Sequence, residues 1–167
     1  VQEMFDCVKA NVRDPHNDDE LSDFLLRILK GKANDGSGLI YGMGHAVYTK
    51  SDPRAVMLKR YARQLAQDKG YGEDFELLES IERLTPEVFN TYKGKHHDIC
   101  ANVDLYSGLV YRMLGIPTEM YTPLFTIART AGWCAHRMEE ILSSGKIMRP
   151  GYKCIERERP YTELTRR

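Results

Sequence analysis

The chain has 167 residues, 42% of them hydrophobic and 29% charged, and its 24 basic and 24 acidic side chains cancel. That length suits one domain with a sizeable core, or a lobe of something larger, and the charge balance argues against a nucleic-acid surface or an anionic membrane as partner. No apolar run approaches the roughly 18 residues of a membrane span, and no signal peptide is visible.

The pattern along the chain is mainly α. Val1, Met4, Phe5, Val8 and Val12 share one face at helical spacing, with no capping residue before them, as expected if further sequence precedes Val1. Asp18 and Asp19 lead into a second helix with Leu21, Phe24, Leu25, Ile28 and Leu29 inward and Gly31 as its stop. A polar, glycine-rich loop covers 32–38, and only 38–48 has strand-like content. Asp52 as N-cap and Pro53 at the first helical position start a third helix, which is predicted to bury Met57, Leu58, Tyr61, Ala62 and Leu65 and to stop at Gly70. A shorter helix carrying Phe75, Leu77, Leu78, Ile81 and Leu84 is expected to end before Thr85-Pro86. Another spans about 102–114, before Gly115. The longest starts at Thr122-Pro123 and carries Leu124, Ile127, Ala128, Ala131, Ala135, Met138, Ile141 and Leu142; its apolar residues cover more than one face, so the isolated chain is expected to self-associate. The tail after Tyr152 reads as loop. Cys7, Cys100, Cys134 and Cys154 are scattered without a CxxC pair, which favours buried free thiols in a reducing compartment over a disulfide framework.

Several residues could carry chemistry. His45 stands in "GMGHAVYTKSDPRA", where Gly42 and Gly44 allow left-handed backbone angles and leave room for a ligand; it is either a donor to a substrate oxygen or a surface histidine in a turn. Arg54, on the first turn of a helix, is either an anion-binding fork beside free backbone N–H groups or a solvated partner of Asp52. Asp104, in "NVDLYSG", is either a base whose proton affinity is raised by Val103, Leu105 and Tyr106 or a helix-start carboxylate complementing the dipole. Arg129 interrupts the nearly uncharged "LFTIARTAGWCAH" and calls for a carboxylate partner from the protein or from a ligand. Arg149, in "IMRPGY", precedes a proline in an extended segment. His96, His97 and Cys100 raise a zinc site, against which stand the missing fourth ligand and the divergence of adjacent histidines. Tyr48, Tyr106, Tyr111 and Tyr121 read as core or interface aromatics.

Taken together, "GMGHAVYTKSDPRA", "NVDLYSGLVYRMLGIPTEMYTPLFTIARTAGW" and "IMRPGY" resemble the citrate synthase family in order and spacing, from the first helix to about Tyr152. The resemblance implies a multi-helical homodimer in which 1–112 form the small, substrate-closing domain and 113–167 the C-terminal part of the large one. It implies that oxaloacetate and acetyl-CoA condense and that the citryl-CoA formed is hydrolysed, with acetyl-CoA a co-substrate and no tightly bound cofactor, metal, nucleic acid or membrane involved. Asp104 would take a methyl proton from acetyl-CoA. His45 would polarise the oxaloacetate carbonyl and protonate the new alkoxide. Arg54 and Arg129 would bind substrate carboxylates, and Arg149 would do so across the dimer interface. Gly42, Gly44 and Ala46 fall in the family's CoA-binding loop, with Lys50 as the basic residue for phosphate.

The family also uses a second histidine, in a His-Gly-Gly motif upstream of the helix at which this chain begins. None of the five histidines here has that context, so the 167-residue chain by itself is expected to be inactive or nearly so. A 2-methylcitrate synthase and a non-catalytic interaction module of the same fold are the alternatives. The expected location is bacterial cytoplasm, or the mitochondrial matrix in a eukaryote.

Overall fold

The computed structural model describes residues 1–143 and Gly151, and six α-helices account for most of them: α1 (Gln2–Asn11), α2 (Asp18–Leu29), α3 (Pro53–Lys69), α4 (Gly72–Lys93), α5 (Asp104–Met113) and α6 (Tyr121–Leu142). A 3-10 turn, Thr118–Met120, leads into α6. The chain divides into two compact units, Val1–Phe125 and Thr126–Arg167.

The core of the first unit is built by α1, α2, α4 and α5. Met4 and Val8 of α1, Leu21, Leu25 and Ile28 of α2, Ile81 of α4 and Leu105 and Tyr106 of α5 are all fully enclosed. The α2 helix packs on α4, and α3 packs on both α4 and α5. Ion pairs pin this arrangement at its rim: Lys9 with Asp74, Arg112 with Asp6, and Arg83 with Asp18. The exposed Arg83–Asp18 pair contributes little by itself, whereas Lys9 meets a carboxylate, Asp74, that is buried. Deeper in, the Tyr106 hydroxyl donates to Glu82, which with Glu79 also holds Lys59 between α3 and α4. Burial, reinforced by the Glu82 bond, pushes the Tyr106 hydroxyl far above its ordinary pKa.

The local chemistry explains the element ends, with four departures from expectation. First, α2 is capped one residue earlier, by Asn17, whose Oδ1 accepts the Asp19 and Glu20 N–H groups at 3.1 and 3.2 Å. Second, among the described residues 38–48 contain no strand, only an isolated antiparallel bridge between Met43 and Ala101. Third, the inner line of α3 is Ala55, Ala62 and Ala66, with Leu58 and Leu65 half-buried, while Met57 and Tyr61 face solvent. Small residues let α3 sit close to its neighbours; of the expected stripe Leu58, Ala62 and Leu65 turn inward and Met57 and Tyr61 do not. Fourth, α4 continues through Pro86 to Lys93. Just before it the Thr85 hydroxyl donates to the Ile81 carbonyl at 2.6 Å, within the buried face that holds the helix on the core. The expected Asp52 cap, Pro53 start and Gly70 stop of α3 are all present, Gly70 with φ +76°.

The second unit, as far as it is described, is the greater part of α6. Ile127, Trp133, Met138, Ile141 and Leu142 are exposed there, and α6 has no buried residue. No helix among the described residues is long and apolar enough to cross a membrane.

Candidate active site

The loop at 42–48 owes its shape to glycine, for a reason internal to the fold. Gly42 has φ +87° and Gly44 φ +89°, a region that other residues avoid. A Cβ on Gly42 would stand 2.8 Å from the Cα of Leu105, so the space a side chain would need is filled by the start of α5. The expectation that this glycine leaves room for a ligand is corrected at Gly42: it leaves room for the chain itself. Backbone bonds then fasten the loop. The Gly44 N–H donates to the Cys100 carbonyl and the Asn102 N–H to the Gly42 carbonyl, both at 2.8 Å. This clasp ties the residue before His45 to the segment that ends at Asp104.

His45 follows immediately and is exposed. Its Nδ1 accepts the Val47 and Tyr48 N–H groups at 3.0 and 3.1 Å. With that nitrogen accepting twice, the neutral ring carries its hydrogen on Nε2. Arg54 Nη2 lies 3.3 Å from that Nε2. Two N–H donors therefore sit side by side, an arrangement suited to neighbouring acceptor oxygens of one small molecule. Tyr48 lines the same place, its ring centroid 4.9 Å from that of His45 and 5.8 Å from the Arg54 guanidinium carbon.

Asp52 fixes Arg54. It is almost fully buried, caps α3 by accepting the Arg54 N–H at 3.0 Å, and also accepts from Arg54 Nε and Nη2 at 3.0 and 2.8 Å. The Arg54 hydrogen bond holds the Asp52 carboxyl below the usual carboxylate range, while Asp52 and, more weakly, Tyr48 and Asp104 raise Arg54. Asp104 is thus near enough for its charge to act on Arg54. It is the first residue of α5 and faces solvent, whereas Leu105 and Tyr106 turn into the core. The apolar enclosure expected of Asp104 is not what the fold builds around it.

Of the remaining candidates, Ala46 and Lys50 are exposed on the loop. Arg129 is on α6 in the second unit and is exposed, so the expected burial penalty does not apply to it. Arg149 and Cys154 lie outside the described residues. Sequence reasoning took Asp52 for a cap and Tyr48 for a packing aromatic; the signal available for both was their closeness in sequence to His45 and Arg54. Among the described residues no group of His, Cys, Asp or Glu could hold a metal. His97 packs edge-on against Phe89 and His96 pairs with Asp98. Cys7, Cys100 and Cys134 are free thiols as expected, but none of the three is buried: Cys7 and Cys100 are half-buried and Cys134 is exposed.

Comparison with known proteins places the chain. Citrate synthase of Synechocystis is 49% identical over 111 residues, covering 66% of this chain and 26% of that protein. Citrate synthase of Corynebacterium glutamicum is 37% identical over 153 residues, covering 90% of this chain and 32% of that one. The chain therefore spans about a quarter to a third of the length of these curated relatives. Among solved structures, the ternary complex of citrate synthase from the thermophilic archaeon Thermoplasma acidophilum with carboxymethyl-coenzyme A and oxaloacetate matches with a TM-score of 0.65 and 28% identity, over 98% of this chain and 41% of that one. The model of the citrate synthase C-terminal domain matches residues 1–151, and on that span the chain belongs to the citrate synthase family.

Proposed function

We propose that this chain supplies the base, the carbonyl-polarising histidine and carboxylate-binding arginines of an enzyme that condenses acetyl-CoA with oxaloacetate to give citrate and CoA. The observation that carries the reading is the donor pair of His45 Nε2 and Arg54 Nη2, 3.3 Å apart, with a carboxylate near enough to act on Arg54. A keto-acid offers what such a pair takes: a carbonyl oxygen for the imidazole N–H and a carboxylate for the guanidinium. The ternary complex of the archaeal relative holds oxaloacetate and carboxymethyl-coenzyme A, which supports the same substrates here.

In this reading the Asp104 carboxylate removes a proton from the acetyl methyl group. The resulting enolate carbon forms a bond to the oxaloacetate carbonyl carbon, whose oxygen takes the proton from His45 Nε2. Water then cleaves the thioester, releasing citrate and CoA. A thioester methyl is a very weak acid beside a carboxyl group, so Asp104 needs a donor at the enolate oxygen, a contribution of about 10²–10³-fold. The family's His-Gly-Gly histidine would provide it. Arg54, Arg129 and, across a homodimer interface, Arg149 hold the carboxylates. Gly44, Ala46 and Lys50 lie along the CoA, with Lys50 at phosphate and Gly42 packed behind them on α5. Residues 1–112 form the closing domain and 113–167 part of the larger one, in the cytoplasm of a bacterium or the matrix of a mitochondrion.

The test is release of CoA from acetyl-CoA and oxaloacetate by the complete protein. Asp104→Asn and His45→Ala should each lower kcat by about 10²–10⁴-fold while folding normally. Arg54→Lys should chiefly raise KM for oxaloacetate. Wild-type turnover in Asp104→Asn would overturn the assignment.

A further inference from the structure

The geometry points to Asn102 as a positioning residue that sets His45 against Asp104, an inference that rests on the condensation reading above. Its side chain reaches both. Nδ2 donates to the Gly44 carbonyl at 2.8 Å, and Oδ1 accepts the Asp104 N–H at 2.9 Å. The Gly44 carbonyl belongs to the peptide unit that leads into His45, and Asp104 opens α5. One amide therefore spans the loop that carries the proposed proton donor and the helix turn that carries the proposed base. The backbone clasp sets the register of the two segments, and this side chain adds a bond to each at the residues where the chemistry begins.

Asparagine suits the place because it has a donor and an acceptor on one rigid plane. Aspartate keeps the acceptor for Asp104 but turns an oxygen lone pair toward the Gly44 carbonyl, with no hydrogen between them. Serine also keeps an acceptor for the helix start but is too short to bridge to Gly44. Both variants preserve the start of α5 and remove the tie to the loop. Arg54 is held separately, by Asp52, so its grip on a carboxylate should not depend on Asn102.

That separation predicts a split in the kinetics of the complete protein. In Asn102→Asp and Asn102→Ser, kcat should fall by about 10²-fold, as for a small displacement of reacting groups, while KM for oxaloacetate stays within about twofold. The thermal midpoint should change little. Nitrogen NMR of the imidazole should show His45 passing from a single Nε2–H form to an average of tautomers as its loop loosens. Wild-type kcat in both variants would overturn the inference, as would kcat, KM and thermal midpoint moving together. If the wild type itself fails to condense the two substrates, the functional reading falls, and the His45 spectrum then decides alone: redistribution in Asn102→Asp sustains the positioning role, and an unchanged spectrum ends it.

Discussion

At Gly42 a left-handed backbone and a neighbour's backbone meet, and the two constraints add. An alanine there takes a φ near +87° and puts a methyl group 2.8 Å from the Leu105 Cα. The expected loss is about 2–4 kcal/mol in urea unfolding, combining left-handed strain with overpacking. Asp35 offers a pH test. The Tyr41 hydroxyl, helped by Ser37, pulls its pKa down to about 2. A depressed acid stabilises the fold above its unfolded value of about 3.9 and loses that contribution as pH falls through the folded one. In Tyr41→Phe the Asp35 titration, followed by NMR, should move up toward the ordinary carboxylate range; a midpoint left near 2 would refute the assigned cause. At this scale the sequence disclosed which residue types could act, because a histidine directly after a Gly-x-Gly run and an arginine at a helix start are uncommon. It did not disclose what Gly42 makes room for, since Leu105 is far away in the chain, nor that Asp104 faces outward while its neighbours turn in.

The helices were legible where capping and punctuation are strong. Asp52-Pro53 and Gly70 bound α3 because a side-chain acceptor, a fixed φ and a left-handed residue act locally. The misreadings occurred where long-range packing overrides local preference. Pro86 removes one N–H and crowds the preceding turn, yet burial of Leu77, Leu78, Ile81, Leu84 and Val88 holds α4 together on both sides of it. Pro86→Ala should therefore lengthen no element, and should raise stability by about 2–2.5 kcal/mol, the helix penalty less the entropy that proline removes from the unfolded chain. Calorimetry would register this as a higher thermal midpoint, and a lower one would mean that proline is needed there. The α3 face shows the same lesson from another side. Met57 and Tyr61 look like core by type, but alanines occupy the tight inner line, and the long side chain of Lys59 is drawn inward by Glu79 and Glu82.

For the molecule as a whole, membership in the family could be read from the motifs alone, because several long segments agree in order. The relation of Arg129 to the rest could not, because it depends on the setting of α6. That helix exposes Ile127, Trp133, Met138, Ile141 and Leu142, more apolar surface than a solvated helix needs. The 167-residue chain should accordingly associate with itself in a concentration-dependent way, and Trp133→Lys with Ile127→Glu should weaken this. Sedimentation showing a monomer at all concentrations would count against it.

The clasp between 42–44 and 100–102 also bears on how the gene could be rearranged. Between its two members the chain travels out along α3, turns at the exposed Lys69-Gly70 and returns along α4. A segment inserted in that outer turn would leave the histidine loop and the aspartate helix still stitched to each other, so the spacing of His45 from Asp104 should survive the insertion.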